Sequence, residues 1–232
     1  SNTDGFQRTA LIARNGFIET SNGKVHIPTI SVEEDSAKII KREKDHDVYN
    51  LSRLGIPLVE VGTAPDIKTP KQAREVAEKL GMILRSTARV KRGLGTIRQD
   101  VNVSIKGGVR VEIKGAQDLR LLSKLVENEV IRQQNLLTIP KKPHISKIHD
   151  ITKLLEKTAS KVLRKTLDNQ GAVLGIKIDN FKGMFKWEIC PGKRFGTELS
   201  DYAKSVCGVG GLFHTDELPN YGITESEVDS IK

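Results

Sequence analysis

Hydrophobic and polar residues alternate along the start of the chain, which is the pattern of half-buried β-strands. The alternation covers residues 6–32, and the dipeptides Asn15-Gly16 and Asn22-Gly23 within it are typical of hairpin turns. A short β-branched run at 56–61 predicts a further strand. We therefore expect an antiparallel sheet in this part of the chain.

Two later stretches have the spacing of amphipathic helices. The first begins with Thr69 as N-cap, Pro70 at the first helical position and Gln72 three residues after the cap, and its apolar positions recur up to Leu84. The second is predicted over about 118–137. Helices that follow an antiparallel sheet in this way indicate an α+β fold.

A change in composition divides the chain. Residues 138–144 contain two prolines and three basic residues, which is typical of a linker or a change of domain. Beyond it the pattern predicts a second α+β domain, with helical segments at 151–169 and 198–207, strands at 173–178 and 209–214, and an extended segment at 180–190. The predicted organisation is a first domain over 1–138, a linker over 139–149 and a second domain over 150–232.

The charge favours a polyanionic partner. The net charge is +9 and the pI is near 9.5, which fits nucleic acid, although a generally basic soluble protein has the same balance. Aromatic residues make up only 4%, so phosphate contacts to a folded RNA fit better than base stacking. There is no apolar run long enough to span a membrane, which excludes a membrane partner, and a cytoplasmic location follows as the default. The spacing of Cys190 and Cys207 does not indicate a zinc site.

Five acidic residues surround the apolar run at 56–61. They are Glu33, Glu34, Asp35, Glu60 and Asp66. A carboxylate in such a run is costly to bury unless a metal or a basic side chain compensates it, and Mg²⁺ needs carboxylates held on rigid segments. The alternative is that 33–35 begins a solvated helix and that Glu60 lies on an exposed strand face. Asp66 follows a proline, which also fits ordinary turn chemistry.

A second polar group lies on a predicted hairpin. Residues 96–105 and 109–113 alternate on either side of Gly107-Gly108, which would place Arg98, Asp100, Asn102 and Glu112 on shared faces. Arg98 or Lys114 is suited to hold a phosphate or a carboxylate. The alternatives are that Lys114 is a solvated charge at a strand end and that Asn102 satisfies backbone groups near the turn.

Several blocks of the first domain match a known family. They are Glu-Glu-Asp-x-x-Lys at 33–38, Ser-Arg-x-Gly-Ile-Pro-Leu-Val-Glu at 52–60, Pro-Asp-Ile at 65–67, Gly-Thr-Ile-Arg-Gln-Asp-Val-Asn-Val-Ser at 95–104 and Val-Glu-Ile-Lys at 111–114. In this order they resemble the GatB/GatE family of tRNA-dependent amidotransferase subunits, whose catalytic domain is a cradle of sheet and helices. The chain departs from the B-type pattern at Asn50 and Ser52, and it has no match to the family's Glu-x-His strand.

The second domain carries its own resemblance. Leu-Gly-Ile-Lys-Ile at 174–178 and the blocks at 191–203 and 210–219 are similar to the GAD domain, which is inserted in bacterial-type aspartyl-tRNA synthetases and in the archaeal E branch of the family. His214 lies in the last block, where a structural role fits better than a ligand role. We therefore expect an internal fragment of an archaeal E-type chain: the C-terminal part of the cradle domain, followed by an α+β GAD domain.

The resemblance implies a function and a site. The family converts Glu-tRNA(Gln) to Gln-tRNA(Gln) with ATP and Mg²⁺, using ammonia from an amidohydrolase partner of the D type, so the full-length protein would form a hetero-oligomer. Glu34 and Glu60 match its metal-binding glutamates, whereas Asp100, Asn102, Glu112 and Lys114 match positions that line the cradle. A fragment without the Glu-x-His strand is expected to be inactive on its own. The alternative is a tRNA- or partner-binding module with no site of its own.

Overall fold

The computed structural model describes residues 8–93, 95–139 and 143–231, so residues 140–142, near the start of the predicted linker, lie outside the described residues. Within these ranges the strands are β1 (Thr9–Thr20), β2 (Gly23–Glu34), β3 (Lys38–Arg42), β4 (Asp47–Asn50), β5 (Pro57–Gly62), β6 (Val101–Val103), β7 (Val111–Ile113), β8 (His149–Asp150), β9 (Leu174–Gly175), β10 (Glu188–Cys190) and β11 (Lys193–Arg194). The α-helices are α1 (Pro70–Ser86), α2 (Leu119–Leu136), α3 (Lys161–Asp168), α4 (Phe195–Cys207) and α5 (Glu225–Ile231). Single turns of 3₁₀-helix lie at Thr152–Leu155, Met184–Lys186 and Thr215–Glu217.

Helices and small antiparallel sheets thus confirm the predicted α+β class. The described chain divides into two compact units, one formed by residues up to 101 together with 112–126, the other by 102–111 together with residues from 127 onward. The predicted boundary between 138 and 150 stays a prediction. No helix in the described ranges is both long enough and apolar enough to cross a membrane.

The first unit is built on a three-stranded antiparallel sheet of order β1-β2-β5. The predicted turn at Asn22-Gly23 is confirmed, since Gly23 opens β2 with a φ of 102° that glycine adopts without strain. The predicted turn at Asn15-Gly16 is wrong, because β1 runs on through both residues. Asn15 takes a φ of 61° inside the strand and lies between two registered pairs, opposite Pro28. A proline has no N–H to offer the ladder, so the local distortion breaks no bond that Pro28 could make.

Helix α1 begins as predicted. The Thr69 side chain accepts a hydrogen bond from the backbone N–H of Gln72, and Pro70 occupies the first turn. The buried Gln72 side chain accepts from the Lys68 N–H and donates to the Thr20 hydroxyl at 3.0 Å, which joins the helix start to the end of β1. The core of this unit contains Ile18, Val25, Ile27 and Val76, with Ile30, Val61, Ile67 and Leu80 packed against it.

The second unit has a core of Leu155, Leu163, Ile223 and Val228. Its helical ends agree with the pattern: α4 stops at Gly208 with a φ of 65°, and Thr224 and Glu227 cap α5 reciprocally. The strand predicted at 209–214 is wrong, since that segment is irregular before its 3₁₀ turn, and the strand predicted at 173–178 is reduced to β9. The helical segment at 151–169 divides into a 3₁₀ turn and α3. Short apolar runs here pack against neighbours without entering a sheet ladder, a difference that periodicity does not detect.

An aromatic cluster lies beside α4. The rings of Phe185 and Phe195 stack with their centroids 5.7 Å apart, and the His214 ring lies 5.0 Å from that of Phe185. Gly196 is enclosed by this cluster, because an added Cβ would lie 2.9 Å from the Phe185 carbonyl oxygen. The segment predicted to be extended over 180–190 instead forms a 3₁₀ turn that supplies Phe185, followed by β10.

Candidate functional site

Glu33 and Glu60 share one face of the β2–β5 pair. In the antiparallel register Ser31 stands opposite Glu60 and Glu33 stands opposite Leu58, so the two glutamates are diagonal neighbours. Side chains of opposed residues project to the same face of a sheet, and alternate residues of one strand do the same. The Ser31 hydroxyl also donates to the Glu60 carboxylate at 3.5 Å.

The electrostatics of Glu60 reflect this arrangement. Glu60 is exposed on β5, as the alternative of an exposed strand face expects. Local desolvation of its carboxyl, a hydrogen-bonding contact with the Glu33 carboxyl and repulsion by the Glu33 charge together raise the pKa of Glu60 above its ordinary value of 4.5. The Ser31 hydroxyl opposes the shift, and the negative charge of Asp100 adds to it. Two carboxylates in mutual repulsion favour either a shared proton or a cation between them.

Glu34 lies on the other face. It stands opposite Pro57 in the register, one residue out of phase with Glu33, and its carboxylate is bound by Arg8 at 2.8 Å from Nε. The register therefore separates Glu34 from Glu60, contrary to the expectation that these two would share a site. A strand reverses the direction of its side chains at each residue, so of two consecutive glutamates only one can face Glu60.

Asp35 is the most buried carboxylate of this acidic group, with 9% of the residue exposed. Arg53 donates to it from Nε at 2.6 Å, and the Arg98 guanidinium lies 4.0 Å away. Its backbone binds the same loop, because the Asp35 N–H donates to the Ile56 carbonyl and its own carbonyl accepts from Gly55. Asp35 thus fixes the loop that leads into β5 and holds Arg98 near the end of β2. The interpretation of 33–35 as a solvated helix start is wrong, since β2 continues to Glu34.

Asp100, Glu112 and Lys114 form a second charged group in the first unit. The Lys114 ammonium lies 3.2 Å from a Glu112 oxygen and 3.8 Å from an Asp100 oxygen, and Asp100 also accepts from the Gly115 N–H at 3.2 Å. These side chains are well exposed to solvent. Asn102 is exposed on β6 and belongs to the second unit.

Two other predicted residues have structural partners. Asp66 accepts from the backbone N–H of His26 at 2.9 Å, and this bond and a further one to the His26 ring lower the pKa of Asp66. This arrangement agrees with a structural role after the turn at Pro65. His214 is packed on Phe185 and lies 3.5 Å from Glu217, which agrees with its place in a structural cluster.

The residues that the sequence reasoning missed are Glu33 as the partner of Glu60 and Asp35 as the anchor of Arg53. The doublet Glu33-Glu34 contained the signal, since a strand can offer only one of the two to a given neighbour. Choosing between them needed the pairing register of β2 with β5, which depends on the loop at 51–56.

The carboxylates of this unit can attract a cation, whereas the basic side chains of Arg98 and Lys114 can attract an anion. Glu33 and Glu60, with the Asp100 charge nearby, supply hard oxygen ligands of the kind that Mg²⁺ takes. In the described part of the chain, three metal-ligand atoms come within 4.8 Å of one another only in the exposed group Glu43, Asp45 and His46 on the β3–β4 turn. Glu33 and Glu60 therefore suit a cation that also takes oxygens from a bound phosphate or from water.

Comparisons with known proteins show the family to which the chain belongs. The family model described as the GatB/GatE catalytic domain matches residues 1–176, and the GAD domain model matches residues 163–232. The chain is similar to proteins named as the E-type subunit of glutamyl-tRNA(Gln) amidotransferase. The identity is 56% over 239 residues with that of Methanocaldococcus jannaschii, 57% over 238 residues with that of Methanosarcina barkeri and 51% over 243 residues with that of Sulfurisphaera tokodaii.

Each of these alignments covers all of this chain but only 38%, 37% and 39% of the respective relative. The chain thus spans well under half the length of the curated relatives that it matches. More than half of its own residues fall under one family model, and a second model covers its last seventy or so residues. The chain belongs to the GatB/GatE catalytic-domain family and carries a GAD domain in its second half.

Proposed function

We propose that this chain is part of a protein that converts Glu-tRNA(Gln) to Gln-tRNA(Gln). In the first step an oxygen of the substrate's γ-carboxylate attacks the γ-phosphorus of ATP, and ADP leaves. In the second step the nitrogen of ammonia attacks the resulting acyl phosphate, inorganic phosphate leaves, and the nitrogen loses a proton. The name of the relatives and the family to which the chain belongs support this activity.

The observation that carries the proposal is the pair Glu33 and Glu60. Desolvation, together with the contact and the charge of Glu33, raises the pKa of Glu60, and a bound cation relieves the repulsion between the two carboxylates. The carboxylates of Glu33 and Glu60 fit Mg²⁺, and the charge of Asp100 adds to the rise in the pKa of Glu60. Mg²⁺, when bound, supplies charge neutralisation on the phosphates of ATP.

The basic residues serve the anionic partners of the reaction. Lys114, held by Glu112 and Asp100, offers an ammonium at a solvent-exposed position where it can meet a phosphate or the substrate carboxylate. Arg98 has 54% of its side chain exposed, and Asp35 steadies it from one side. Both positions belong to the first unit, as do Glu33 and Glu60. Asn102, which the resemblance matches to a position that lines the cradle, is exposed on β6 and stays a prediction.

The ammonia comes from a second protein in this proposal. Burial, as the largest cause, raises the pKa of the Cys190 thiol, which disfavours the reactive thiolate at this position. An amidohydrolase of the D type would fill this role in a hetero-oligomer. The tRNA enters as substrate, and ATP and Mg²⁺ enter as cofactors.

The test uses the full-length protein, Glu-tRNA(Gln), ATP, Mg²⁺ and free ammonium, which bypasses the partner. Glu60→Gln and Glu33→Gln should each lower the conversion to Gln-tRNA(Gln) by about 10²-fold or more, because catalysis by positioning tolerates little misplacement. Binding of the tRNA should be unchanged. Full conversion by both variants would reject the proposal, and would favour the alternative of a binding module without a site of its own.

A further inference from the structure

A strongly basic stretch begins on α1 and continues beyond its end. Residues 79–99 contain no Asp or Glu. Their basic residues are Lys79, Arg85, Arg89, Lys91, Arg92 and Arg98. Lys79 binds Glu75 at 3.0 Å, and Arg98 lies near Asp35, so these two are compensated within the unit.

The other four have no ion-pair partner among the residues that the structure describes: Arg85, Arg89, Lys91 and Arg92. All four are exposed. Like charges held together repel one another, and no carboxylate among the described residues forms an ion pair with any of these four side chains. A cluster of this kind is stabilised by an anion from outside the chain.

A cavity of about 540 Å³ opens at this cluster. Its described lining consists of Arg85, Arg92, Gly93, Gly95, Ile97 and Gln117. The described part of the lining contains two guanidinium groups, one amide and no carboxylate. Gly93 and Gly95 adopt φ values of 116° and 77°, and nothing lies within 4 Å of the place where a Cβ would stand on either, so a ligand can approach their backbone closely.

We propose that this cavity, with Arg85 and Arg92 on its wall and Arg89 and Lys91 beside it, binds the phosphate backbone of the RNA substrate. The inference deepens the proposed function, on which the presence of an RNA substrate rests. Arginine binds phosphate in a bidentate manner, and two arginines at one cavity with two further cations beside it suit successive phosphates of a strand.

The lining favours RNA backbone over a nucleotide as the occupant. A nucleotide site usually gives the base an apolar surface, and Ile97 is the only large apolar side chain among the described residues of this lining. The cations also extend beyond the cavity along 85–92, which matches a strand better than a single triphosphate. Phosphate contacts of this kind position an RNA without reading its sequence.

The experiment measures the binding of a fluorescently labelled tRNA that carries no amino acid to the 232-residue chain at several salt concentrations. The test variant is Arg85→Ala/Arg92→Ala. The control is Arg14→Ala/Lys71→Ala, which removes the same charge from the same unit at exposed positions without an ion pair among the described residues. Thermal unfolding of each variant shows that the fold is kept.

The logarithm of the association constant decreases with the logarithm of the salt concentration. We expect the steepness of this decrease to be smaller by about 1.4–1.8 in the test variant, since each lost phosphate contact removes about 0.7–0.9. The control should keep most of the wild-type slope, and Arg85→Lys/Arg92→Lys should retain it. Equal losses in the test and control variants, no loss in either, or no RNA binding by the wild-type chain at about 50 mM salt would each overturn the proposal.

A second arm separates the two sources of phosphate. The same variants are titrated with ATP and Mg²⁺, and the Arg85→Ala/Arg92→Ala variant should bind ATP as the wild type does. Loss of ATP binding with unchanged RNA binding would assign the cavity to the nucleotide and overturn the proposal. A tRNA that carries no amino acid cannot be converted, so these outcomes are independent of the Glu33 and Glu60 tests of the proposed function.

Discussion

Glu33 on β2 and Glu60 on β5 lie diagonally across an antiparallel pair, with both carboxylates on one face of the sheet. The pKa of Glu60 rises above 4.5 because its carboxyl, although exposed, is locally desolvated and because Glu33 is its neighbour. The fold thus holds two like charges together on rigid strands. Such a pair costs stability unless a proton or a cation neutralises it, which is the physical basis for placing the metal here.

The first prediction concerns Glu60→Gln and pH. A carboxyl whose folded-state pKa is raised lowers the free energy of unfolding as the pH rises through that pKa, whereas below about pH 4.5 the group is protonated in both states. Without Mg²⁺, Glu60→Gln should therefore unfold at a higher temperature than wild type at about pH 7, and the difference should vanish near pH 4. Glu34→Gln, which loses its bond to Arg8, should show no such gain. A Glu60→Gln variant that is less stable than wild type at neutral pH would contradict this prediction.

The second prediction concerns Asp35→Asn. The change removes the charged partner of Arg53, whose Nε lies 2.6 Å from the buried carboxylate. Hydrogen bonds to charged groups contribute about 1.5–3 kcal/mol, so amide hydrogen exchange in the loop at 51–56 should accelerate by roughly one to two powers of ten. The matched control is Asp45→Asn, since the Asp45 side chain is 85% exposed and its loss should leave exchange in the loop unchanged. Unchanged exchange in Asp35→Asn would show that Asp35 does not hold the loop.

The third prediction concerns the second unit. Arg132 donates from Nε to Glu129 at 2.7 Å and binds Glu198, and all three side chains are less than 20% exposed. Arg132→Met should lower the free energy of unfolding by about 3–5 kcal/mol, because it leaves the buried Glu129 carboxylate without its cation and Glu198 with only Lys193, 3.9 Å away. Trp187, the single tryptophan, reports the unfolding of this unit in urea.

The control for that change is Arg164→Met. Arg164 pairs with Asp168 at 2.7 Å on the surface of α3, where an i, i+4 pair contributes at most about 1 kcal/mol. A loss in Arg132→Met no larger than in Arg164→Met would mean that the buried group contributes no more than an exposed pair.

The fourth prediction concerns the domain boundary. Limited proteolysis should cut the chain near 141–147 and release two stable pieces. Within the described residues, 144–146 are tied to the second half, since the backbone N–H of Asp179 donates to the His144 carbonyl and that of Ser146 to the Lys177 carbonyl. We therefore expect cleavage at the N-terminal side of His144. A single resistant core with no cut in this stretch would argue against a boundary between 138 and 150.

The sequence predicted those parts of the fold that short-range chemistry determines. The cap at Thr69, the turn at Asn22-Gly23 and the end of α4 at Gly208 each depend on a few adjacent residues, and each is confirmed. The strand expected at 209–214 failed, because tertiary packing decides whether a short apolar run joins a sheet. The turn predicted at Asn15-Gly16 is wrong because β1 pairs with β2 on both sides of this dipeptide and continues as one strand.

The candidate site shows the same limit. The acidic positions were visible in the sequence, and so was their match to a family. Which member of the Glu33-Glu34 doublet faces Glu60 depends on the strand register, and a slip of one residue exchanges the two. The role of Asp35 was equally hidden, because Arg53 is eighteen positions away and is brought to it by the turn at Gly55.

The most direct test of the proposed metal site is a calorimetric titration of Mg²⁺, in the presence of a non-hydrolysable ATP analogue, into wild type, Glu33→Gln, Glu34→Gln and Glu60→Gln. We expect Glu33→Gln and Glu60→Gln to lose the Mg²⁺ binding that wild type shows, while Glu34→Gln, on the opposite face, retains it. Loss of binding in Glu34→Gln together with normal binding in Glu33→Gln would contradict the assignment of the site to Glu33 and Glu60.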